Sequence, residues 1–206
     1  MTNWQALIGV AAGFVFILGL LPYLVTIWQG KTRPNRASWW IWTVVSFNLV
    51  ASYFSSGASN TIWLPICTAI CHLIIAIISL KFGGGGWNRF DRVCLFGAGI
   101  SLLLWRQFNS PLVALLMNIL IDFLGSLPTM RKSYYEPQTE APLPWIIFLV
   151  ASFFNVIAIE TWSVAIAIYP IYYFCSTATI VILIIRPKMT FKTKKYNRPR
   201  RIKRTI

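Results

Sequence analysis

The chain has 206 residues, of which 57% are apolar and only 12% are charged, and its mean hydropathy is +0.64. Soluble domains carry about 45–50% apolar and about 25% charged residues, so this composition excludes a soluble enzyme, a disordered chain and a secreted disulfide scaffold, and it indicates an integral membrane protein. The net charge of +14 does not indicate a nucleic-acid-binding surface, because ten of the nineteen cations lie in one tail between Arg186 and Arg204.

Seven apolar segments follow one another along the chain. Each is a candidate membrane-spanning helix, because about 20 apolar residues in helical form cross the bilayer core. In chain order the segments are Trp4–Trp28, Ser38–Phe54, Thr61–Leu80, Val93–Trp105, Pro111–Met130, Leu143–Ile159 and Trp162–Ile185. The fourth is short enough to be a re-entrant or interfacial piece, so its length does not decide whether it crosses.

Loop charge decides the path of the fourth segment. The loop after the first segment carries Lys31, Arg33 and Arg36, whereas the loop at 55–60 carries no charge. Basic loops lie on the cytoplasmic side, and this assignment requires the fourth segment to cross. The sequence therefore predicts an all-α protein with seven transmembrane helices, its N-terminus outside, its C-terminus inside and eighteen of its nineteen cations in the cytoplasm. We expect it in the bacterial cytoplasmic membrane.

The two halves of the chain resemble each other. A shift of 106 residues pairs Gly19 with Gly125, Pro22 with Pro128 and Trp39 with Trp145, and a shift of 105 pairs Pro65 with Pro170. Transporters are often built from such duplications. The pattern predicts a 3+1+3 arrangement, with a first three-helix repeat at 1–82, a connector and linker helix at 83–108, a second three-helix repeat at 109–186 and a basic cytoplasmic tail at 187–206.

Two short motifs carry a resemblance to a known family. The run Gly19-Leu20-Leu21-Pro22-Tyr23, followed by Lys31-Thr32 and Ser38-Trp39, resembles the PQ-loop signature of the SWEET, SemiSWEET and cystinosin-like superfamily. The run Gly125-Ser126-Leu127-Pro128-Thr129 resembles its second copy. Tyr23 and Thr129 stand where the family has glutamine, and Ile66 and Ile171 stand where SWEET proteins have asparagine. The resemblance implies the seven-helix fold and leaves the substrate open.

Four prolines lie inside the apolar segments. Proline removes a backbone hydrogen bond and can kink a transmembrane helix. The resemblance implies that these prolines are hinges for alternating access, while static kinks that shape the bundle remain the alternative. The four are Pro22, Pro65, Pro128 and Pro170.

Polar side chains within apolar segments are candidate substrate contacts, because burying them in lipid is costly. Tyr169, Tyr173 and Ser176 follow helical spacing and share one face of the last segment, and Thr68 lies on the corresponding face of the third. We expect such faces to meet around a central cavity. For Asn48 and Asn155, contact with substrate and hydrogen bonding that merely joins helices are both open.

His72 and Asp122 are candidates for proton coupling. His72 precedes Lys81 by nine residues, and Asp122 precedes Arg131 by nine residues. At 1.5 Å per residue, both groups lie about 13.5 Å from the cytoplasmic face, near the middle of the membrane. Removal from water favours the neutral form of both side chains, so both are suited to proton exchange, while packing roles remain the alternative.

Two classes of function remain open. The first is a membrane transporter that moves a small polar solute by alternating access, with sugar as substrate and proton coupling both open. The second is a seven-helix ligand-binding or cargo-binding receptor of the PQ-loop type. We expect no enzymatic activity and neither metal nor other cofactor, because no catalytic constellation or metal-ligand spacing is present. The expected partners are the bilayer, a solute and anionic lipid at the basic tail, with self-association open.

Overall fold

The computed structural model describes residues 4–85, 88–105 and 111–186. The described residues form seven α-helices and one short 3₁₀ turn, and they include no β-strand. The basic tail predicted at 187–206 lies outside the described residues, as does Arg106. An all-helical chain is thus confirmed.

The helices follow the apolar segments closely. Their bounds are α1 Trp4–Trp28, α2 Arg36–Ser55, α3 Trp63–Phe82, α4 Arg89–Trp105, α5 Pro111–Tyr135, α6 Pro142–Ile157 and α7 Val164–Ile185, with the 3₁₀ turn at Pro137–Thr139. The largest differences from the sequence lie in α4 and α5, which continue through charged residues at one end. Hydropathy marks where the apolar stretch stops, whereas backbone hydrogen bonding continues until a residue or loop breaks it.

Four of the helices are long and apolar enough to cross a membrane, namely α1, α3, α5 and α7. Their outer surfaces are apolar, with Phe14 61% exposed and Ile182 62% exposed. Polar side chains point inward instead, and Ser126, Thr129 and Ser133 have no exposed surface. This inverted distribution suits a lipid environment, in which backbone and side-chain polar groups must find partners inside the protein. The chain is thus built as an integral membrane protein.

The same packing order occurs in both halves of the chain. In the first half α3 packs against both α1 and α2, and in the second half α7 packs against both α5 and α6. The two halves meet through two extensive interfaces, α1 against α6 and α2 against α5. The remaining helix, α4, packs mainly against α5 and more lightly against α2. The space enclosed by these contacts lies between the halves.

Three of the four prolines lie in the interior of a helix. Pro22 lies inside α1, Pro128 inside α5 and Pro170 inside α7. Pro65 is different, because α3 begins at Trp63 and the proline therefore occupies its first turn. Backbone N–H groups in a first turn have no intrahelical acceptor, so proline costs no hydrogen bond there. Pro65 therefore does not interrupt the hydrogen bonding of α3, and its role as a hinge stays a prediction.

Two glycines allow the halves to approach closely. A Cβ atom at Gly19 of α1 would lie 2.7 Å from the Phe148 ring of α6, and a Cβ atom at Gly125 of α5 would lie 2.7 Å from Ile41 of α2. Gly19 and Gly125 are equivalent under the 106-residue shift. Small residues at such crossings let helix backbones come together in membranes. Both interfaces between the halves therefore depend on the same glycine position.

We expect Gly19→Val and Gly125→Val to destabilise the protein, because either side chain overlaps an atom of the facing helix. Overpacking of this kind costs about 1–3 kcal/mol. The measurement is the melting temperature of detergent-solubilised protein. Ala51→Val is the matched control, since Ala51 is an exposed position of α2. Equal melting temperatures for all three variants would contradict the close approach.

Candidate functional site

A small cavity, termed here the central cavity, lies between the two halves. Six of the seven helices contribute to its wall, all except α4. Its aromatic lining consists of Phe16, Trp39, Trp42, Trp145, Phe148 and Tyr173. Its polar lining consists of His72, Asp122, Ser176 and Thr177. Such a mixture of apolar walls and a few polar groups is typical of ligand sites.

The aromatic rings form walls that face in different directions. Trp39 and Trp42 meet at 86° with centroids 5.1 Å apart, and Trp145 and Phe148 meet at 88° with centroids 5.8 Å apart. Phe16 stacks on Phe148 with centroids 4.4 Å apart. These separations lie in the range where aromatic pairs attract each other. The rings therefore support one another and enclose the cavity on several sides.

Asp122 is held in the wall by α7 and α2. Its Oδ2 atom accepts a hydrogen bond from the Tyr172 hydroxyl at 2.7 Å. The indole N–H of Trp42 donates to the Asp122 backbone oxygen at 3.2 Å. The residue is only 5% exposed, and the described part of the chain offers it no ion pair. Asp122 is thus a buried carboxyl group without a cationic partner in the described part of the chain.

His72 lies in the same cavity and is fixed against α2. Its Nδ1 atom is 2.9 Å from the Ser46 hydroxyl. Its ring stacks on Trp42 with centroids 5.6 Å apart and meets Trp39 edge to face at 5.5 Å. The sequence placed His72 and Asp122 at equal depth without showing that they face a common space. The structure brings both side chains to the central cavity.

The substrate-contact residues predicted on α7 and α3 are divided between two layers. Tyr173 and Ser176 line the central cavity. Tyr169 lies one turn nearer the start of α7 and stacks on Tyr173 with centroids 5.7 Å apart. Thr68 is buried and donates its hydroxyl hydrogen bond to the backbone oxygen of Pro65. Tyr169 and Thr68 therefore lie outside the cavity wall in this conformation.

The two predicted asparagines do not line the central cavity. Asn48 donates from its Nδ2 atom to the backbone oxygen of Val44 on its own helix, at 3.0 Å. Asn155 is completely buried in α6, and neither of its amide atoms has a hydrogen-bond partner among the described residues. Neither side chain joins two helices through a hydrogen bond in the described part.

The sequence missed most of the aromatic lining. Tryptophan near helix ends is common at the membrane interface, and their position along the chain would place Trp39, Trp42 and Trp145 there. They point instead between the helices. One signal was available, because Trp39 and Trp145 occupy equivalent positions in the two halves. A tryptophan at the equivalent position of both halves is better explained by packing between the halves than by two separate contacts with the membrane interface.

The lining positions of the central cavity come in equivalent pairs. The 106-residue shift pairs Phe16 with Asp122, Trp39 with Trp145 and Trp42 with Phe148, and the 105-residue shift pairs His72 with Thr177. Every member of these pairs lines the cavity. The two halves therefore contribute equivalent positions to the wall, but the side chains at these positions differ.

A group of tyrosine contacts, termed the Tyr53 cluster, closes one end of the cavity. The Tyr53 hydroxyl of α2 donates to the backbone oxygen of Ile166 at 2.6 Å and lies 2.8 Å from the Thr61 hydroxyl. The Tyr53 ring also contacts Tyr169 with centroids 5.3 Å apart. Beside it, Glu160 accepts a hydrogen bond from the backbone N–H of Ser59 at 2.8 Å. These contacts join the α2–α3 end of one half to the α6–α7 end of the other.

A buried carboxylate, at the centre of what is termed the Glu140 cluster, closes the opposite end. Glu140 precedes α6 and forms an ion pair with Lys132 of α5. The indole N–H of Trp145 donates to Glu140 Oε2 at 3.1 Å, and the Tyr23 hydroxyl of α1 donates to the same oxygen at 3.4 Å. Tyr23 follows Pro22 directly. The Glu140 cluster thus ties the helix segment after Pro22 to the opposite half.

The space left inside is about 20 Å³, which holds about one water molecule. A larger ligand enters only if one of the two ends opens and the aromatic rings separate. Contacts between the halves thus lie at both ends of this small cavity. A second cavity of about 450 Å³ lies at the Arg131 end of α5, where charges of both signs from Arg33, Asp91, Arg131 and Glu136 line it.

Comparison with protein-family models, curated proteins and solved structures gave no match. The resemblance to the PQ-loop superfamily thus stays a prediction from the sequence motifs.

We expect Glu140→Gln and Lys132→Met to lower the melting temperature of the solubilised protein, because each leaves one buried charge unpaired. Breaking a buried pair costs about 3–5 kcal/mol. The double variant should lose less than the sum of the single variants. Glu136→Gln is the matched control, since Glu136 is exposed in the same loop. Strict additivity of the two changes would show that the pair is not coupled.

Proposed function

We propose that the protein is a membrane transporter that moves a small polar solute through the central cavity by alternating access. In this proposal two parallel three-helix repeats, α1–α3 and α5–α7, are joined by α4 as a linker helix. The N-terminus lies outside and the C-terminus inside, in a bacterial cytoplasmic membrane. The function then follows from motion of one repeat against the other.

The observation that carries the proposal is a small cavity with separate contacts between the halves at its two ends. The Tyr53 cluster and the Glu140 cluster each join one half to the other. A carrier needs such an arrangement, because each end must open while the other stays shut. A receptor needs access from one side only, and a second closure is of no use to it.

The repeated packing order and the prolines support the same mechanism. Transporter folds place their substrate site near the bilayer midplane at the interface of two repeats, beside interrupted helices. Here Pro22 and Pro128 occupy equivalent positions of α1 and α5, directly before Tyr23 and Thr129. Tyr23 takes part in the Glu140 cluster, and Thr129 donates to the Ser38 hydroxyl at 2.8 Å. Bending at these prolines therefore acts directly on contacts between the halves.

Cysteine accessibility tests transport without knowledge of the solute. In a background in which Cys67, Cys71, Cys94 and Cys175 are replaced, we expect a Ser176→Cys thiol to react with a membrane-impermeant anionic methanethiosulfonate from either side of the membrane. The measurement compares right-side-out with inverted vesicles. Reaction from both sides indicates alternating access, whereas reaction from one side only indicates a receptor.

Matched positions calibrate that assay. Thr161→Cys lies in the exposed α6–α7 loop and Glu136→Cys in the exposed α5–α6 loop, so each should react from a single and opposite side. Ile182→Cys lies on the apolar outer face of α7 and should not react from either side, because charged reagents do not enter lipid. Reaction at Ile182→Cys would show that the vesicles are not intact.

Orientation has its own test. We expect green fluorescent protein fused after Ile206 to fluoresce and alkaline phosphatase at the same place to be inactive, because the cationic end is retained in the cytoplasm. A fusion after Asn60, in the uncharged loop before α3, should show the reverse. An active phosphatase after Ile206 would overturn the proposed topology.

A further inference from the structure

We infer that the central cavity takes an organic cation, a monovalent ammonium group on a small apolar body, which pairs with Asp122 in place of a proton. This inference rests on the proposed function, because it names the class of solute for the same cavity. The inference is based on one carboxyl group, without an ion pair among the described residues, that lies among aromatic rings.

The charges around the cavity exclude an anion. Among the described residues, Asp122 is the one carboxyl group in the cavity wall, and neither lysine nor arginine lines it. In the described part of the chain, the one ion pair is that of Lys132 with Glu140, outside this cavity. An anionic solute would meet a carboxylate and no cation. A cationic solute would supply the partner that Asp122 lacks.

Asp122 has hydrogen-bonding capacity left over. Its Oδ2 atom accepts the Tyr172 hydroxyl, while Oδ1 has no hydrogen bond among the described residues. A buried carboxyl group must either carry a proton or meet a cation, because an isolated charge is very costly away from water. The free oxygen therefore marks the place where a proton and an ammonium group compete.

The rings suit a cation with an apolar body. Faces of tryptophan and phenylalanine attract an ammonium group within about 6 Å of the ring centroid. Trp39 and Trp42 stand nearly perpendicular to each other, as do Trp145 and Phe148. A rounded cation between them would meet ring faces on more than one side. Its apolar groups would replace the contacts that the rings now make with one another.

Several hydrogen-bonding groups of the wall are already engaged. The indole N–H of Trp42 is bonded to the backbone of Asp122, and that of Trp145 to Glu140. The Thr177 hydroxyl donates to the Tyr173 backbone oxygen, and His72 is paired with Ser46. The indole N–H of Trp39, in contrast, has no partner among the described residues. Preference for a cation over a sugar therefore depends on the charge of Asp122 and not on a lack of hydrogen-bond donors.

Few titratable groups other than Asp122 face this space. Tyr172 and Tyr173 face it from α7, and His72 faces it from α3. The α2 helix presents Trp42, which does not titrate. On α4, Arg89, Asp91, Arg92 and Cys94 belong to the opening turns, near the Arg131 end of α5, and the 3₁₀ turn at Pro137–Thr139 carries no titratable side chain. We therefore expect loss of cation binding at low pH to reflect protonation of the Asp122 carboxylate.

The exchange is balanced in charge. A protonated Asp122 releases one proton as a monovalent cation arrives, and the cation leaves when the carboxylate takes up a proton again. The cavity is neutral in both states. Asp122 thus couples movement of the solute in one direction to movement of a proton in the other.

The test is equilibrium binding of radiolabelled phenyltrimethylammonium to the purified full chain in detergent. This probe has a permanent charge, so pH acts on the protein alone. We expect saturable binding that weakens at least tenfold from pH 8 to pH 5, since one proton competes with one cation. Asp122→Asn should weaken binding at least tenfold at pH 8 and abolish the pH dependence. Glu136→Gln removes the same charge outside the cavity and should change neither.

Two further variants keep the test decisive if Asp122→Asn folds poorly. Asp122→Glu retains the charge and should restore pH-dependent binding, and Phe148→Leu retains an apolar wall but should weaken cation binding severalfold. Melting temperatures establish that each variant is folded. The inference is overturned if the folded wild type does not bind the probe saturably, if Asp122→Asn binds it equally well, or if methyl glucoside binds in its place.

Failure here and failure of the proposed function give different results. Reaction of Ser176→Cys from both sides without cation binding would leave a transporter of another solute. Cation binding with reaction from one side only would leave the cation site and overturn transport.

Discussion

The central constraint in this structure is a carboxyl group buried among aromatic rings, with no cation beside it among the described residues. In water Asp122 would be an ordinary charged residue, whereas between apolar helices it needs a proton, a strong donor or a ligand. The structure provides one donor, Tyr172, and leaves the second carboxyl oxygen without a hydrogen bond among the described residues. The surrounding walls come from six of the seven helices. Any relative motion of the two halves therefore changes the environment of this one group.

The contacts between the halves at both ends are polar, as the proposed alternating access requires of contacts that break and reform. The Tyr53 cluster depends on a hydroxyl group bonded to a backbone oxygen, and the Glu140 cluster on an ion pair with two additional donors. If either end opens in the proposed transport cycle, water can replace the bonds that are lost, so the net cost of each hydrogen bond is only about 0.5–1.5 kcal/mol. An apolar seal of the same size would expose hydrophobic surface to water on opening. In this proposal, polar contacts hold the ends of the cavity together, and aromatic side chains in the middle contact the ligand.

The sequence predicts the helices well because lipid imposes a simple rule on them, and it predicts the cavity less well because no such rule governs side-chain direction. Apolar length identified all seven helices, and scarcity of buried charge identified His72 and Asp122. The ends of α4 and α5 were missed because a helix continues through charged residues once it leaves the apolar layer. Trp42 was missed because its direction depends on α2 packing against α3 and α5 rather than on its position along the chain. Asn48 was predicted as a candidate substrate contact because it is polar, but its side chain bonds to the backbone of its own helix.

The paired lining positions explain why the cavity holds one carboxyl group and not two. Asp122 and Phe16 are equivalent under the 106-residue shift, and both line the cavity. Two carboxylates facing each other in such a small space would repel, and one of them would retain its proton. With phenylalanine at the second position, the proposed cation would meet a carboxylate from one half and an aromatic face from the other. The pair of His72 and Thr177 differs in the same way. Equivalent positions of the two halves therefore carry different side chains. Such an asymmetric cavity would favour one orientation of a ligand, whereas a symmetric cavity would not.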